Sequence, residues 1–91
     1  MNIQNADTKI TVFVTTWCGD CRRVLSYLDE AGVMYTAINI DKDQSAAQIV
    51  TKLNRGFRSV PTIAFPDGSY LVEPSFYELQ KKLDGLKSQA S

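Results

Sequence analysis

The chain has 91 residues, with ten Lys plus Arg against ten Asp plus Glu and a hydrophobic fraction of 44%. This length accommodates a single domain, and the composition is that of a globular protein rather than a disordered one. The sequence contains no histidine, which excludes Ser-His-Asp and Cys-His catalysis and any metal site that needs an imidazole. The zero net charge argues against a nucleic-acid partner, because phosphate binding favours a clear basic excess.

The two ends of the chain show no targeting or membrane signal. Residues 1–7 lack the charged region and apolar core of a signal peptide, and no apolar run is long enough to span a bilayer. We therefore expect a cytoplasmic protein without a membrane partner. The predicted organisation is a flexible N-terminal end over residues 1–8, one domain over 9–87 and a disordered tail over 88–91.

The first half of the chain alternates predicted strands and helices. Residues 9–15 are rich in β-branched side chains and alternate in direction, which indicates a strand buried on both faces. The next apolar positions have the spacing of an amphipathic helix that Gly32 closes as its C-cap. Residues 35–40 are predicted as a second strand, and Asp43 or Ser45 can cap the helix that follows. The apolar positions of these two helices are Cys21, Val24, Leu25, Leu28, Ala46, Ile49, Val50 and Leu53.

The second half of the chain predicts a hairpin and a final helix. Two β-rich runs, 62–65 and 69–72, flank the turn sequence Pro-Asp-Gly at 66–68, which is a strong hairpin signal. Ser75 and Glu78 match the Ser-x-x-Glu capping box at a helix start. The predicted order is β-α-β-α-β-β-α, which makes the chain an α/β protein.

Cys18 and Cys21 are the residues that indicate a reactive site. They are the only cysteines of the chain, and a bridge between them would close almost no loop, so we do not expect a structural staple. The strand-to-helix junction places Cys18 at a helix start, where free N–H groups and the helix dipole stabilise a thiolate. Cys21 falls on the apolar face of the same helix. We therefore predict Cys18 as an exposed attacking nucleophile and Cys21 as a shielded resolving thiol.

Other interpretations of the cysteine pair fit the sequence less well. Two buried apolar cysteines are common in cores, but the position at a strand-to-helix junction favours redox chemistry. A zinc ribbon needs two more soft ligands, and the chain has no further Cys and no His, so no metal site is predicted. A cluster shared between two chains with a small-thiol co-ligand ranks third. Near the pair, Asp20 disfavours a Cys18 thiolate whereas Arg22 and Arg23 favour it.

The sequence around the cysteines and a second motif further on together resemble a known family. A strand runs into Thr-Thr-Trp-Cys-Gly-Asp-Cys at 15–21, and Arg-Ser-Val-Pro-Thr at 58–62 precedes the hairpin. Over roughly residues 9–86 the chain is similar to the glutaredoxin branch of the thioredoxin superfamily, and within it to the mycoredoxins. The resemblance implies a thioredoxin fold, with a four-stranded mixed sheet flanked by three helices. It also implies a disulfide oxidoreductase that uses a small thiol as co-substrate and no bound cofactor.

The resemblance implies a set of substrate-binding residues. In this family the Val-Pro bond is cis and lies beside the nucleophilic sulfur, so Val60 and Pro61 are expected next to Cys18. Proline offers no N–H, and the Val60 backbone is then free to pair with a bound thiol or peptide. Trp17 is implied as a surface that partner proteins touch. Arg58 matches the basic residue before Val-Pro, and Ser75 stands at the start of the last helix.

The anchors for the small thiol match the glutathione-binding pattern only in part. Thr15 stands where a lysine is usual, and residues 73–75 replace a turn built from glycine and aspartate, whereas Arg58 matches. These departures favour mycothiol over glutathione. Arg55 and Arg58 could instead serve a carboxylate or phosphate of another substrate. Phe57, between them, is either a loop anchor or another contact at the rim of the site, and the loop anchor is the favoured prediction.

The predicted function is the reduction of mixed disulfides between proteins and a small thiol through Cys18 and Cys21. The predicted partners are disulfide-containing or thiolated proteins, mycothiol or glutathione, and indirectly a flavin disulfide reductase. One alternative is an electron donor for ribonucleotide reductase that is coupled to thioredoxin reductase, although the Trp-Ser-Gly-Phe-Arg-Pro stretch of that group is absent. Another is a non-catalytic adaptor with a thioredoxin fold, which the presence of both cysteines disfavours.

Overall fold

The computed structural model describes the backbone of residues 10–90 and the side chains of residues 10–86. Within that range the elements follow the predicted order β-α-β-α-β-β-α. The expectation of a flexible end over residues 1–8 lies outside the described residues. The elements are β1 (Ile10–Val14), α1 (Gly19–Glu30), β2 (Tyr35–Asn39), α2 (Gln44–Leu53), β3 (Thr62–Ala64), β4 (Tyr70–Val72) and α3 (Phe76–Ala90).

The described strands form one mixed sheet in the order β2-β1-β3-β4. β1 pairs in parallel with β2, from Ile10 opposite Tyr35 to Val14 opposite Asn39. β3 pairs antiparallel with both β1 and β4. The carboxyl ends of β1 and β2 therefore meet at the same edge of the sheet at which β3 begins. The loops at this edge carry both sequence motifs, and the crevice outside such strand ends is where α/β proteins bind ligands.

The sheet is covered on both faces, which confirms the prediction that β1 is buried on both sides. One face packs against α1 and α3, and the other packs against α2. Ile49, predicted on the apolar stripe of α2, is instead 49% exposed, and Ala47 is buried in its place. The small side chains of Ala46 and Ala47 let α2 lie close to the sheet, which leaves Ile49 at the rim. The first cluster contains Ile10, Val12, Val24, Leu28, Ile63, Phe65, Leu79 and Leu83, and the second contains Phe13, Ile40, Ala46, Ala47 and Val50.

The helix starts use the capping residues that the sequence indicates. The Ser75 hydroxyl accepts the Glu78 N–H at 3.1 Å, and the Glu78 carboxylate accepts the Ser75 N–H at 2.9 Å. These reciprocal bonds confirm the predicted capping box of α3. At α2 the cap is Asp43 rather than Ser45, because Asp43 Oδ1 accepts the N–H of Ala46 at 3.0 Å.

The helix ends agree with the sequence at α1 but not at α3. Gly32 follows α1 with a φ of 71°, and the N–H groups of Gly32 and Val33 donate to the carbonyls of Asp29 and Leu28. This is a Schellman motif, which needs a left-handed residue and so favours glycine. α3 continues to Ala90, three residues into the predicted disordered tail. Residues 86–90 contain no proline or glycine that would end a helix.

The hairpin turn lies at the end of the sheet opposite the cysteines. The Phe65 N–H donates to the Ser69 carbonyl at 2.9 Å, and Gly68 takes a φ of 90°. The Asp67 carboxylate accepts the Ser69 hydroxyl at 2.6 Å and the Lys82 ammonium at 2.7 Å. The turn is therefore tied to α3 as well as closed on itself. Among residues 10–90 no helix combines the length and the apolar character needed to cross a lipid bilayer.

Candidate active site

Cys18 and Cys21 lie at the start of α1 and are joined by a disulfide bond. Cys18 is the N-cap residue, with extended backbone at φ −93° and ψ 111°. Its Sγ accepts the backbone N–H of Cys21 at 3.1 Å. An N-cap side chain ordinarily makes this bond through oxygen, and here a sulfur atom occupies the position. One free N–H of the helix start and the positive end of the helix dipole therefore act on the Cys18 sulfur.

The two cysteines differ in exposure by less than the sequence predicts. Cys21 is 2% exposed, in agreement with a shielded thiol. Cys18 is 8% exposed, so the prediction of an exposed residue is wrong for the disulfide form. The reason is that its Sγ lies between Cys21 and the segment before β3, with the Val60 carbonyl oxygen 3.9 Å away. Cys18 nevertheless remains the more accessible of the two.

The bond between Val60 and Pro61 is cis, as the family resemblance implies. Pro61 is buried, and its carbonyl accepts the N–H of Glu73 at 2.8 Å. The Val60 carbonyl faces the Cys18 sulfur, so a protonated Cys18 thiol can donate to it. The structure thus brings both sequence motifs together across the edge of the sheet, although they are 42 residues apart in the chain.

A cavity of about 180 Å³ opens on the α3 side of this junction. Glu73 lies on its wall with a φ of 48°, in the left-handed region that favours glycine. Ser75 also lies on the wall, and its hydroxyl caps α3. The lining residues are Asp20, Arg23, Val24, Pro61, Glu73, Pro74, Ser75 and Phe76.

On the other side of the cysteines, Asp41 joins two of the predicted binding residues. The Trp17 indole N–H donates to Asp41 Oδ2 at 3.3 Å, and Arg58 Nη2 donates to Asp41 Oδ1 at 2.5 Å. Trp17 is 74% exposed, in agreement with a surface residue. Arg58 is therefore already paired with a carboxylate of its own chain.

The position of Asp41 is itself held by hydrogen bonds. Its N–H donates to Asn39 Oδ1 at 2.9 Å, and Asn39 Nδ2 donates to the Thr16 hydroxyl at 2.9 Å. Sequence reasoning missed Asp41, although a signal was available. Asp41 comes directly after the second strand of a parallel pair, and the carboxyl ends of such strands lie side by side.

Two residues just before the second motif, Arg55 and Phe57, lie in the loop between α2 and β3. Phe57 is 70% exposed, so its prediction as a loop anchor is wrong. Arg55 and Gly56 both take left-handed backbone angles, with φ of 56° and 96°, and the chain turns there before Phe57 can reach a core. Arg55 is exposed beside it.

The charged residues around the cysteines include one exposed ion pair. Arg23 Nη1 lies 3.9 Å from Asp20 Oδ1, and both side chains are exposed. Because solvent screens an exposed pair at this distance, it is expected to change the effect of the Asp20 charge on a Cys18 thiolate only slightly. Arg22 is exposed on the same helix.

Comparison with known proteins agrees with this geometry. The family model described as Glutaredoxin matches residues 10–71. A protein of Mycobacterium tuberculosis, provisionally named a glutaredoxin, is 39% identical over 74 residues, which cover 81% of this chain and 88% of the relative. Mycoredoxin 1 of Corynebacterium glutamicum is 35% identical over 79 residues, covering 87% of this chain and 98% of the relative.

A solved structure extends the comparison to three dimensions. The crystal structure of a buckwheat glutaredoxin–glutathione complex is similar with a TM-score of 0.62 and 28% identity, covering 90% of this chain and 79% of that one. The mixed four-stranded sheet with three helices is the predicted thioredoxin fold. With its disulfide at the start of α1 and its cis proline beside it, the chain belongs to the glutaredoxin family and is a thiol-disulfide oxidoreductase.

Proposed function

We propose that this protein reduces mixed disulfides between proteins and a small thiol, with Cys18 as the nucleophile and Cys21 as the resolving thiol. The observation that carries the proposal is the position of the Cys18 sulfur, which accepts the Cys21 N–H at the start of α1. A thiolate at this position is stabilised by that N–H and by the helix dipole without a histidine. The lower exposure of Cys21 supports its role as the second thiol.

In the first step the Cys18 thiolate attacks the small-thiol sulfur of the mixed disulfide. A new S–S bond forms between Cys18 and the small thiol, and the protein sulfur leaves as a thiolate that takes a proton from water. A second small thiol then attacks the small-thiol sulfur, releases the Cys18 thiolate and leaves as a small-thiol disulfide. A flavin disulfide reductase supplies the two electrons that return this disulfide to thiols.

Cys21 provides the second route for clearing the intermediate. Its thiolate attacks Cys18, which forms the intramolecular disulfide of the structure and releases the small thiol. On a protein disulfide the same attack by Cys21 completes the reduction of the target. The Cys21 N–H is directed at the Cys18 sulfur, so it stabilises Cys18 where that sulfur is a thiolate, as the attacking group of the first step and as the group released by the second small thiol.

Mycothiol, a sugar-linked thiol without a carboxylate, is the co-substrate that the site supports best. Thr15 is only 6% exposed and is too short to replace the lysine that binds a glutathione carboxylate in this family. Glu73 adds a negative charge to the wall of the cavity beside Pro61, which disfavours a ligand that carries carboxylates. Similarity to mycoredoxin 1 supports the same choice, whereas the buckwheat complex shows that a relative binds glutathione.

The test compares Cys18→Ser and Cys21→Ser with the unaltered protein. Turnover of a model mixed disulfide is measured with mycothiol and with glutathione, each coupled to its own reductase, and against thioredoxin reductase alone. Cys18→Ser is expected to lose turnover on every substrate. Cys21→Ser is expected to keep turnover on small-thiol mixed disulfides and to lose it on protein disulfides. Retained turnover in Cys18→Ser, or faster turnover with glutathione than with mycothiol, would contradict the proposal.

A further inference from the structure

We propose that Asp41 acts as an internal carboxylate that occupies Arg58 and thereby selects against small thiols carrying a carboxylate. The proposal rests on the proposed function, because it concerns which small thiol the Cys18 site accepts. Asp41 is a specificity-determining residue that acts through Arg58.

The geometry of Asp41 is that of a carboxylate bound in a recognition site. Each of its two oxygens has a donor, with Arg58 Nη2 at 2.5 Å on Oδ1 and Trp17 Nε1 at 3.3 Å on Oδ2. A charged guanidinium and an indole N–H are donors that would also bind the carboxylate of a ligand. Asn39 accepts the Asp41 N–H and holds the loop in this position.

This cluster lies next to the reacting sulfur. Trp17 precedes Cys18 in the chain, and Arg58 lies two residues before Val60, whose carbonyl oxygen is 3.9 Å from Cys18 Sγ. A small thiol joined to Cys18 and extended along Val60 would therefore point its other end towards Arg58, which is paired with Asp41. The space there is an open depression of about 440 Å³, which Lys42 also lines.

The pair is accessible enough for a ligand to compete with it. The Arg58 and Asp41 side chains are 52% and 41% exposed. A ligand carboxylate that reaches Arg58 must displace Asp41, so one ion pair replaces another of the same kind. The displaced Asp41 carboxylate then lies beside the new negative charge and repels it. An uncharged polyhydroxyl thiol meets no such competition, because its hydroxyl groups can donate to Asp41 without breaking the pair.

The experiment measures binding of S-methylglutathione, which carries carboxylates at both ends and cannot exchange disulfides. Trp17 is the only tryptophan of the chain, so its fluorescence reports the titration at the site itself. Asp41→Asn keeps the size of the side chain and removes its charge. We expect about fivefold tighter binding, the upper end of what an exposed ion pair contributes. Asp41→Ala, which also removes both hydrogen bonds, is expected to shift binding in the same direction.

Two controls separate this effect from a general loss of negative charge or a change of structure. Asp84→Asn removes an exposed carboxylate of α3, about 12 Å along the helix from Phe76, and is expected to leave binding unchanged. Adding Arg58→Gln to Asp41→Asn is expected to abolish the gain, because the freed guanidinium is its cause. In turnover assays the KM for glutathione should fall in Asp41→Asn.

The outcomes distinguish this proposal from the proposed function. Two results would show that Asp41 does not keep ligand carboxylates from Arg58. One is that S-methylglutathione binds Asp41→Asn and Asp41→Ala no more tightly than the unaltered protein. The other is that the tighter binding of Asp41→Asn persists when Arg58→Gln is added. Neither result depends on turnover. Absence of mixed-disulfide turnover with mycothiol would instead overturn the proposed function, while tighter binding in Asp41→Asn would still show that Asp41 masks Arg58.

Discussion

Asp41 and Asp67 lie at opposite ends of the sheet, and each pairs with one cationic side chain. Asp67 accepts the Lys82 ammonium at 2.7 Å and both the hydroxyl and the N–H of Ser69. These bonds hold the pKa of the Asp67 carboxyl well below its ordinary value, with the Lys82 hydrogen bond as the largest cause. The Asp67 pair is also less exposed, at 31% and 25% against 41% and 52% for Asp41 and Arg58.

The Asp67 and Asp41 ion pairs differ in the parts of the molecule that they join. The partners of Asp67 belong to the hairpin and to α3, so that pair joins two structural elements far from the disulfide. The partners of Asp41 are Trp17, which precedes Cys18 in the chain, and Arg58, and both are residues predicted to bind substrate. Breaking the Asp67–Lys82 pair is expected to change the free energy of unfolding. Breaking the Asp41–Arg58 pair, which lies near the nucleophile, is expected to change the affinity for a ligand. Substitutions at the two ends should therefore affect different measurements.

The largest expected effect on stability is at the hairpin end, at Phe65. Its ring is 5% exposed in the first core cluster, with Lys82 Nζ 5.3 Å from the ring centroid. Phe65→Ala is expected to lower the free energy of unfolding by about 3–5 kcal/mol, measured by denaturant titration. Turnover per folded molecule should not change. The matched control is Phe57→Ala, where the ring is 70% exposed and the expected change is below about 0.5 kcal/mol. Equal losses in the two variants would contradict the assigned burial.

At the cysteine end, Ser75 tests whether a residue on the cavity wall is structural. Ser75→Ala removes the capping bond to the Glu78 N–H and should cost about 1 kcal/mol of unfolding free energy. Ser75→Asp keeps a capping oxygen and should retain stability. If Ser75→Asp is stable but loses mixed-disulfide turnover, the Ser75 hydroxyl contacts substrate as the sequence predicts. Equal loss of stability in both variants would show that the cap does not contribute.

The acid sensitivity of the hairpin end is a third test. Because the folded pKa of Asp67 lies below its ordinary value of 3.8, its carboxylate stabilises the fold above that pH. This contribution is lost as the pH falls from about 5 through 3.8 and on through the lowered folded pKa. Asp67→Asn should therefore be less stable than the unaltered protein near neutral pH and similar to it in strong acid, as measured by unfolding at each pH. Lys82→Gln should show the same convergence, and parallel curves would refute the assignment.

The smallest expected effect concerns the indole of Trp17. Trp17→Phe keeps an aromatic surface but removes the N–H that donates to Asp41 at 3.3 Å. A single exposed hydrogen bond of this length should change the KM for a mycothiol mixed disulfide by about twofold or less. A tenfold change would mean that the indole N–H contacts substrate directly.

Much of this architecture follows from local sequence signals. The β-branched alternation of β1, the Asp-Gly turn and the capping box of Ser75 and Glu78 each act within a few residues, and the structure contains all three. The two cysteines at a strand-to-helix junction belong to the same class, because the helix start is defined by its neighbours in the chain. The position of Val60 and Pro61 beside Cys18 was predicted from the family resemblance, because the spacing of the residues in the chain does not indicate it.

The surroundings of the disulfide were decided by tertiary structure. Asp41 meets Trp17 and Arg58 only because the pairing of β1 with both β2 and β3 brings residues 17, 41 and 58 to one edge of the sheet. No periodicity in the sequence reports such a contact between distant segments. The same holds for Cys18, which the segment at Val60 covers, and for Phe57, which the left-handed turn at Arg55 and Gly56 leaves exposed. The sequence by itself determined the elements and the reactive pair, and the three-dimensional packing decided which charges and surfaces surround that pair.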